Sequence, residues 1–95
     1  MNHKNNQKLL KKLERVTKGG ANHWRACILF TLEKNSGLSV EGITREVGGN
    51  FVTVSAHLQS LVRSGLVSKK YKGKVVQNFL TRNGSFILTF YRMLE

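Results

Sequence analysis

The side chains able to do covalent or metal chemistry are few, and their spacing brings none of them together. The 95 residues contain His3, His23 and His57, a single cysteine at Cys27, five glutamates and no aspartate. A soft divalent metal requires several Cys or His ligands converging on one point. These four side chains show no ligand spacing, so no metal site is expected. General acid–base work needs paired carboxylates or a histidine beside a nucleophile, and phosphate handling needs a glycine-rich cradle. The sequence has neither arrangement and predicts no enzyme and no cofactor. Cys27 falls in the apolar run ACILF, where a free cysteine behaves as a small buried hydrophobe. A lone cysteine excludes an internal disulfide, which fits a reducing, cytoplasmic location.

What remains is cationic chemistry. Sixteen Lys and Arg against five Glu give a net charge of +11. Lys4, Lys8, Lys11, Lys12, Arg15 and Lys18 crowd the first 20 residues, opposed only by Glu14. Lys69, Lys70, Lys72 and Lys74 form a second cluster with no acid in residues 66–76. The stretch between them is nearly neutral. Such patches call for a polyanionic partner. No apolar run approaches the ~18 residues of a membrane span, and KKLER follows the basic N-terminus where a secretory apolar region would stand. Charge alone fits nucleic acid or an anionic membrane surface; the expected partner is nucleic acid, with no membrane.

The elements that position these residues follow from apolar spacing. The length suits one domain over 1–95. Leu9, Leu13 and Val16 form one stripe on a basic helix over residues 3–17, ended by Gly19-Gly20. Asn22 can cap a second helix, in which Trp24, Ile28 and Leu32 recur every four residues; with ACILF apolar on more than one side, this is the expected central core helix. Ser39 can cap a short helix through Val47, with Ile43 and Val47 inward. After the Gly48-Gly49 turn, Asn50 can cap another helix, backed by Val54, Leu58, Leu61 and Val62 and stopped by Gly65. Its outward side carries Thr53, Ala56, His57, Ser60 and Arg63. Val67, Tyr71, Val75, Val76 and Phe79 flank Lys72-Gly73 as a hairpin. A closing helix from about Arg82 presents Phe86, Ile87, Phe90, Tyr91 and Leu94.

The predicted class is mainly α with a small β-hairpin: a winged helix-turn-helix of order α-α-α-α-β-β-α. Residues 1–20 form the basic N-terminal helix, 22–81 the helix-turn-helix and wing, and 82–95 the C-terminal helix. The major groove, about 12 Å wide, admits one helix, and a basic hairpin beside it reaches the phosphates.

RACILFTL, Val54-Ser55-Ala56-His57-Leu58, Gly65-Leu66-Val67 and Phe79-Leu80-Thr81 with Gly84 resemble the winged-helix regulators, most nearly the arsenic-repressor (ArsR-like) family. The resemblance covers about residues 22–94. It implies a homodimeric regulator of transcription, a repressor, holding duplex DNA. It also implies DNA contacts at the start of the recognition helix, at positions matching Asn50, Phe51, Val52, Ser55 and Ala56. Asn50 and Ser55 keep the polar character, whereas Phe51, Val52 and Ala56 do not. The family's metal-binding cysteines are absent: Ser39 and Glu41 stand at their positions.

The expected DNA surface is thus Asn50, Phe51, Thr53, Ser55, Ala56, His57, Ser60 and Arg63, with Lys69, Lys70, Lys72 and Lys74 on the backbone. The expected dimer surface is Leu9, Leu13, Val16, Phe86, Phe90, Tyr91 and Leu94. A module that binds protein or RNA through the same fold is the other reading, since fold does not fix function.

Overall fold

A computed structural model describes residues 20–93 of the chain. Helix α1 (Gly20–Lys34) is followed by α2 (Val40–Val47), α3 (Phe51–Arg63), the antiparallel strands β1 (Val67–Lys72) and β2 (Val75–Leu80), and α4 (Arg82–Arg92). This is the winged-helix order expected from the spacing. The basic helix expected over residues 3–17 lies outside the described residues. Gly20 is already helical, so Asn22 stands inside α1 rather than capping it. A glycine weakens a helix by about 1 kcal/mol but does not forbid it, and α1 is held by its packing instead.

That packing is extensive. Ala26, Ile28, Leu29, Phe30 and Leu32 are all buried, and α1 touches α2, α3, α4 and β2. Ile43 from α2, Val54, Leu58 and Leu61 from α3, Val67 from β1 and Leu88 from α4 complete one core. Cys27 packs at its edge and lies 3.8 Å from His23 Nε2. An ion pair between Arg92 and Glu33 joins α4 to α1, with the Arg92 guanidinium 5.6 Å from the centre of the Phe30 ring.

Local chemistry sets the ends of α2 and α3. Ser39 Oγ accepts from the Gly42 amide at 3.2 Å and caps α2. Gly48, at φ 71°, closes α2 in a left-handed conformation that side chains resist. Asn50 Oδ1 accepts from the amides of Val52 at 2.8 Å and Thr53 at 3.2 Å, capping α3. At the far end of α3 the Leu66 amide donates to Leu61 O and the Gly65 amide to Val62 O, the paired bonds of a Schellman stop. The stop predicted at Gly65 is therefore where the chain turns, with Gly65 at φ 77°.

The hairpin pairs Val67 with Leu80 through Lys72 with Val75, leaving Gly73-Lys74 as a two-residue turn with Gly73 at φ 63°. Gly37 and Leu38 extend the sheet: Gly37 N–H donates to Asn78 O, and Asn78 N–H donates to Leu38 O. The buried Asn78 side chain adds a bond from Nδ2 to Leu38 O at 3.0 Å. The segment before α2 is thereby fastened to the wing.

The start of the closing helix is tied in by a further junction. Thr81 Oγ1 donates to Gly65 O at 2.6 Å and accepts from the Gly84 amide at 3.0 Å, while Thr81 N–H donates to Leu66 O. A β-carbon on Gly84 would stand 2.2 Å from Leu66 O. Gly84→Ala must therefore push α4 away from the Leu66 backbone, an overpacking cost of about 2–3 kcal/mol. The melting temperature should fall by about 10 °C or more in a calorimetric scan, and the exposed neighbour Ser85→Ala should leave it unchanged.

Candidate nucleic-acid interface

Turned away from the core, α3 presents Val52, Ala56, Gln59 and Arg63, all exposed and spaced by four, three and four residues. That spacing is one straight line along a helix. Thr53 is exposed on one side of the line, and Ser55 and Ser60 are half-buried on its margins. Phe51, 48% exposed, stands at the N-terminal corner. The line runs about 16 Å, at 1.5 Å per residue.

His57 departs from expectation. It is half-buried rather than fully outward, within reach of the Arg25 charge on α1. Burial lowers its pKa, and the nearby Arg25 charge lowers it further. The same guanidinium acts on Tyr91 of α4, whose hydroxyl is raised by burial while Arg25 opposes the rise. The charge of Arg25 on α1 thus reaches both His57 of α3 and Tyr91 of α4. The Arg25 Nε is buried without a hydrogen-bond partner among the described residues. The spacing of His57 from Leu58 puts it on the flank of the inward stripe, and only the packing of α1 shows which flank is covered.

The turn before α3 is held from behind. A β-carbon on Gly49 would come 2.8 Å from Trp24 Cζ3 and 2.9 Å from Val54 Cγ2, so the indole lies directly against this turn. Trp24 is packing, as its helix position favoured, and its ring meets His23 edge-on with centroids 5.8 Å apart. Asn50, expected at the interface, spends its side-chain oxygen on the cap and keeps only its amide NH2 for a ligand.

The wing lysines are exposed, and none is paired with a carboxylate among the described residues. They do not form one patch. Successive residues of a strand point to opposite faces, so Lys69 and Tyr71 share one face while Lys70 and Lys72 take the other. A groove of about 460 Å³ runs between the wing and the first turn of α2, lined by Lys69, Lys74, Val75, Asn78, Ser39 and Glu41, among others. The four cations expected together are thus divided, with Lys69 and Lys74 on the groove. Tyr71 is 73% exposed.

On α4, Phe86, Phe90 and Met93 form an exposed apolar stripe, while Tyr91 packs against the core. Tyr91, expected at the dimer surface, is half-buried against the core. Leu9, Leu13, Val16 and Leu94 lie outside the described residues. Among the described residues no group of three His, Cys, Asp or Glu can hold a metal, and no helix is long and apolar enough to cross a membrane.

Sequence reasoning missed Gln59, and it reached Val52 only through the family resemblance, not through the helical spacing. Counting four, then three, from Val52 would have found Gln59. His57 carries a pH consequence. Its folded pKa lies below that of the unfolded chain, so the unfolded state takes up the proton first as pH falls. Stability present above about pH 6.5 is therefore lost on acidification below it. Between about pH 7.5 and about pH 5.5 the melting temperature of the native chain should fall further than that of His57→Gln.

No protein-family model and no curated protein sequence matches the chain. Solved structures do match it. MepR of Staphylococcus aureus, a transcription regulator of the multidrug efflux pump MepA, is 22% identical at a TM-score of 0.74, over 97% of this chain and 68% of its own. A MarR transcriptional regulator from Methanosarcina mazei Go1 is 20% identical at 0.71, over 97% of this chain and 62% of its own. FabT of Streptococcus pneumoniae, solved in complex with DNA, is 19% identical at 0.66, over 73% of this chain and 50% of its own. This chain spans about two thirds of the length of the first two. The arsenic-repressor resemblance is supported only as far as the winged helix, because these structures are of the MepR and MarR type. In fold, the chain is similar to the winged-helix regulators of transcription.

Proposed function

We propose that this protein is a regulator of transcription that binds double-stranded DNA as a homodimer and represses. The exposed face of α3 enters the major groove, and the wing lies on the backbone. One observation carries the reading: a capped helix shows an uncharged polar and apolar line to solvent, with unpaired lysines on the hairpin beside it. The net charge of +11 supports a polyanion. The similar protein FabT was solved on DNA, which supports the same use of this fold here.

Within this reading Lys69 and Lys74 take the phosphates nearest α3, and Lys70 and Lys72 reach the neighbouring strand or remain solvated. Arg63 closes the line at its C-terminal end, and Thr53, Ser55 and Ser60 border the groove. With about six to eight phosphate contacts per dimer, log K should fall against log salt with a slope of about −5 to −7. Reversing Lys69, Lys70, Lys72 and Lys74 to Glu should abolish duplex binding in a fluorescence titration and leave the melting temperature nearly unaltered. The pair Lys69→Glu/Lys74→Glu should cost more affinity than Lys70→Glu/Lys72→Glu. Binding indifferent to salt would exclude the reading and favour a protein- or RNA-binding module.

The exposed stripe of Phe86, Phe90 and Met93 supports the second copy as its cover. A stable interface buries about 800 Å² per partner, more than one short stripe offers, so Leu9, Leu13, Val16 and Leu94 are drawn into the same surface. In sedimentation, Phe86→Glu/Phe90→Glu should yield a folded monomer whose DNA affinity is weakened by loss of the paired half-site.

A further inference from the structure

We infer that α3 recognises thymine through its 5-methyl group, with Val52 as the contacting side chain and Ala56 beside it. The inference rests on the DNA-binding reading above and names what that surface reads. Val52 is 74% exposed, opposite the buried Val54, Leu58 and Leu61. A single exposed valine is ordinary. Here, however, the N-terminal half of the outward line consists of Val52 and Ala56, with Phe51 at its corner, and its only cation is Arg63 at the far end.

The major groove offers acceptors at guanine N7 and O6 and at adenine N7, donors at adenine N6 and cytosine N4, and one apolar group, the thymine methyl. Valine and alanine side chains neither donate nor accept. Against a guanine or cytosine edge they would strip water from polar atoms and return no bond, which is unfavourable. Against thymine they bury a methyl group. Both effects push the same way, toward thymine beneath the first two turns of α3.

Gln59 extends the same preference. Its amide can bond adenine N6 and N7 together. It stands seven residues beyond Val52, which is about 10 Å along the helix, or about three base pairs. The expected half-site therefore has a thymine and, about three pairs away, an adenine. An apolar protein partner is the less favoured occupant, because Lys69 and Lys74 line the groove alongside and no exposed acid faces them except Glu41.

The test uses the full chain. Bound sites are selected from random duplexes, and the preferred site is resynthesised with deoxyuridine for thymine, position by position. That change removes only the methyl group. Uracil beneath Val52 should weaken binding about fourfold, the effect of losing one buried methyl-sized group. Val52→Ala should keep the melting temperature, bind the thymine duplex more weakly, and lose most of the discrimination against uracil at that position. Equal affinity for thymine and uracil duplexes, or full discrimination retained by Val52→Ala, would overturn the inference. Salt-sensitive binding without thymine enrichment would overturn it alone and leave the DNA reading standing. Failure to bind any duplex at low salt would remove both.

Discussion

The contact on which the rest of the fold depends is the approach of Gly84 to the Leu66 carbonyl. Leu66 is the residue between the glycine stop of α3 and the first strand of the wing, so whatever touches its backbone fixes both. Thr81 bonds to Gly65 and Leu66 from one side and caps α4 from the other. Gly84 lets α4 close onto that point with no side chain between. The two short motifs, Gly-Leu-Val and Leu-Thr-x-x-Gly, are therefore a single physical object. They are far apart in sequence because the hairpin lies between them.

A second fastening works from the opposite end. Leu38 and Asn78 tie the segment before α2 to the wing, and Ser39 then starts α2 from a fixed place. Trp24 presses on the Gly49 turn, so the entry to α3 is set by the central helix. Helix α3 and the wing thus share one frame, and neither can shift without disturbing the core. That rigidity is what a surface needs if it is to meet a duplex at fixed spacing, since the ordering cost is met during folding rather than on binding.

Much of this is legible in the residues alone, for a reason that can be named. Ser39, Asn50 and Gly65 sit where a cap or a stop is expected because capping is local: the side chain or glycine meets backbone groups two to five residues away. The hairpin turn at Gly73 is equally local. The core role of Ile28, Leu32, Ile43, Val54, Leu58 and Leu61 follows from helical spacing. Asn22 misleads because a good capping residue can also stand inside a helix when distant packing extends that helix.

The sequence by itself determined the element order, the ends of α2 and α3, the burial stripes of α1, α2 and α3 and the excess of positive charge, because these depend on neighbours within one or two turns. It did not show the face that α4 buries, centred on Leu88. Only the tertiary structure decided which flank of α3 is covered, and so moved His57 toward Arg25 and left Gln59 in the open. It also divided the wing lysines between two faces and set Tyr91 half-buried against the core. These outcomes depend on which element lands against which. That is set by contacts between residues far apart along the chain, such as Gly84 with Leu66 and Leu38 with Asn78, and no local spacing records them.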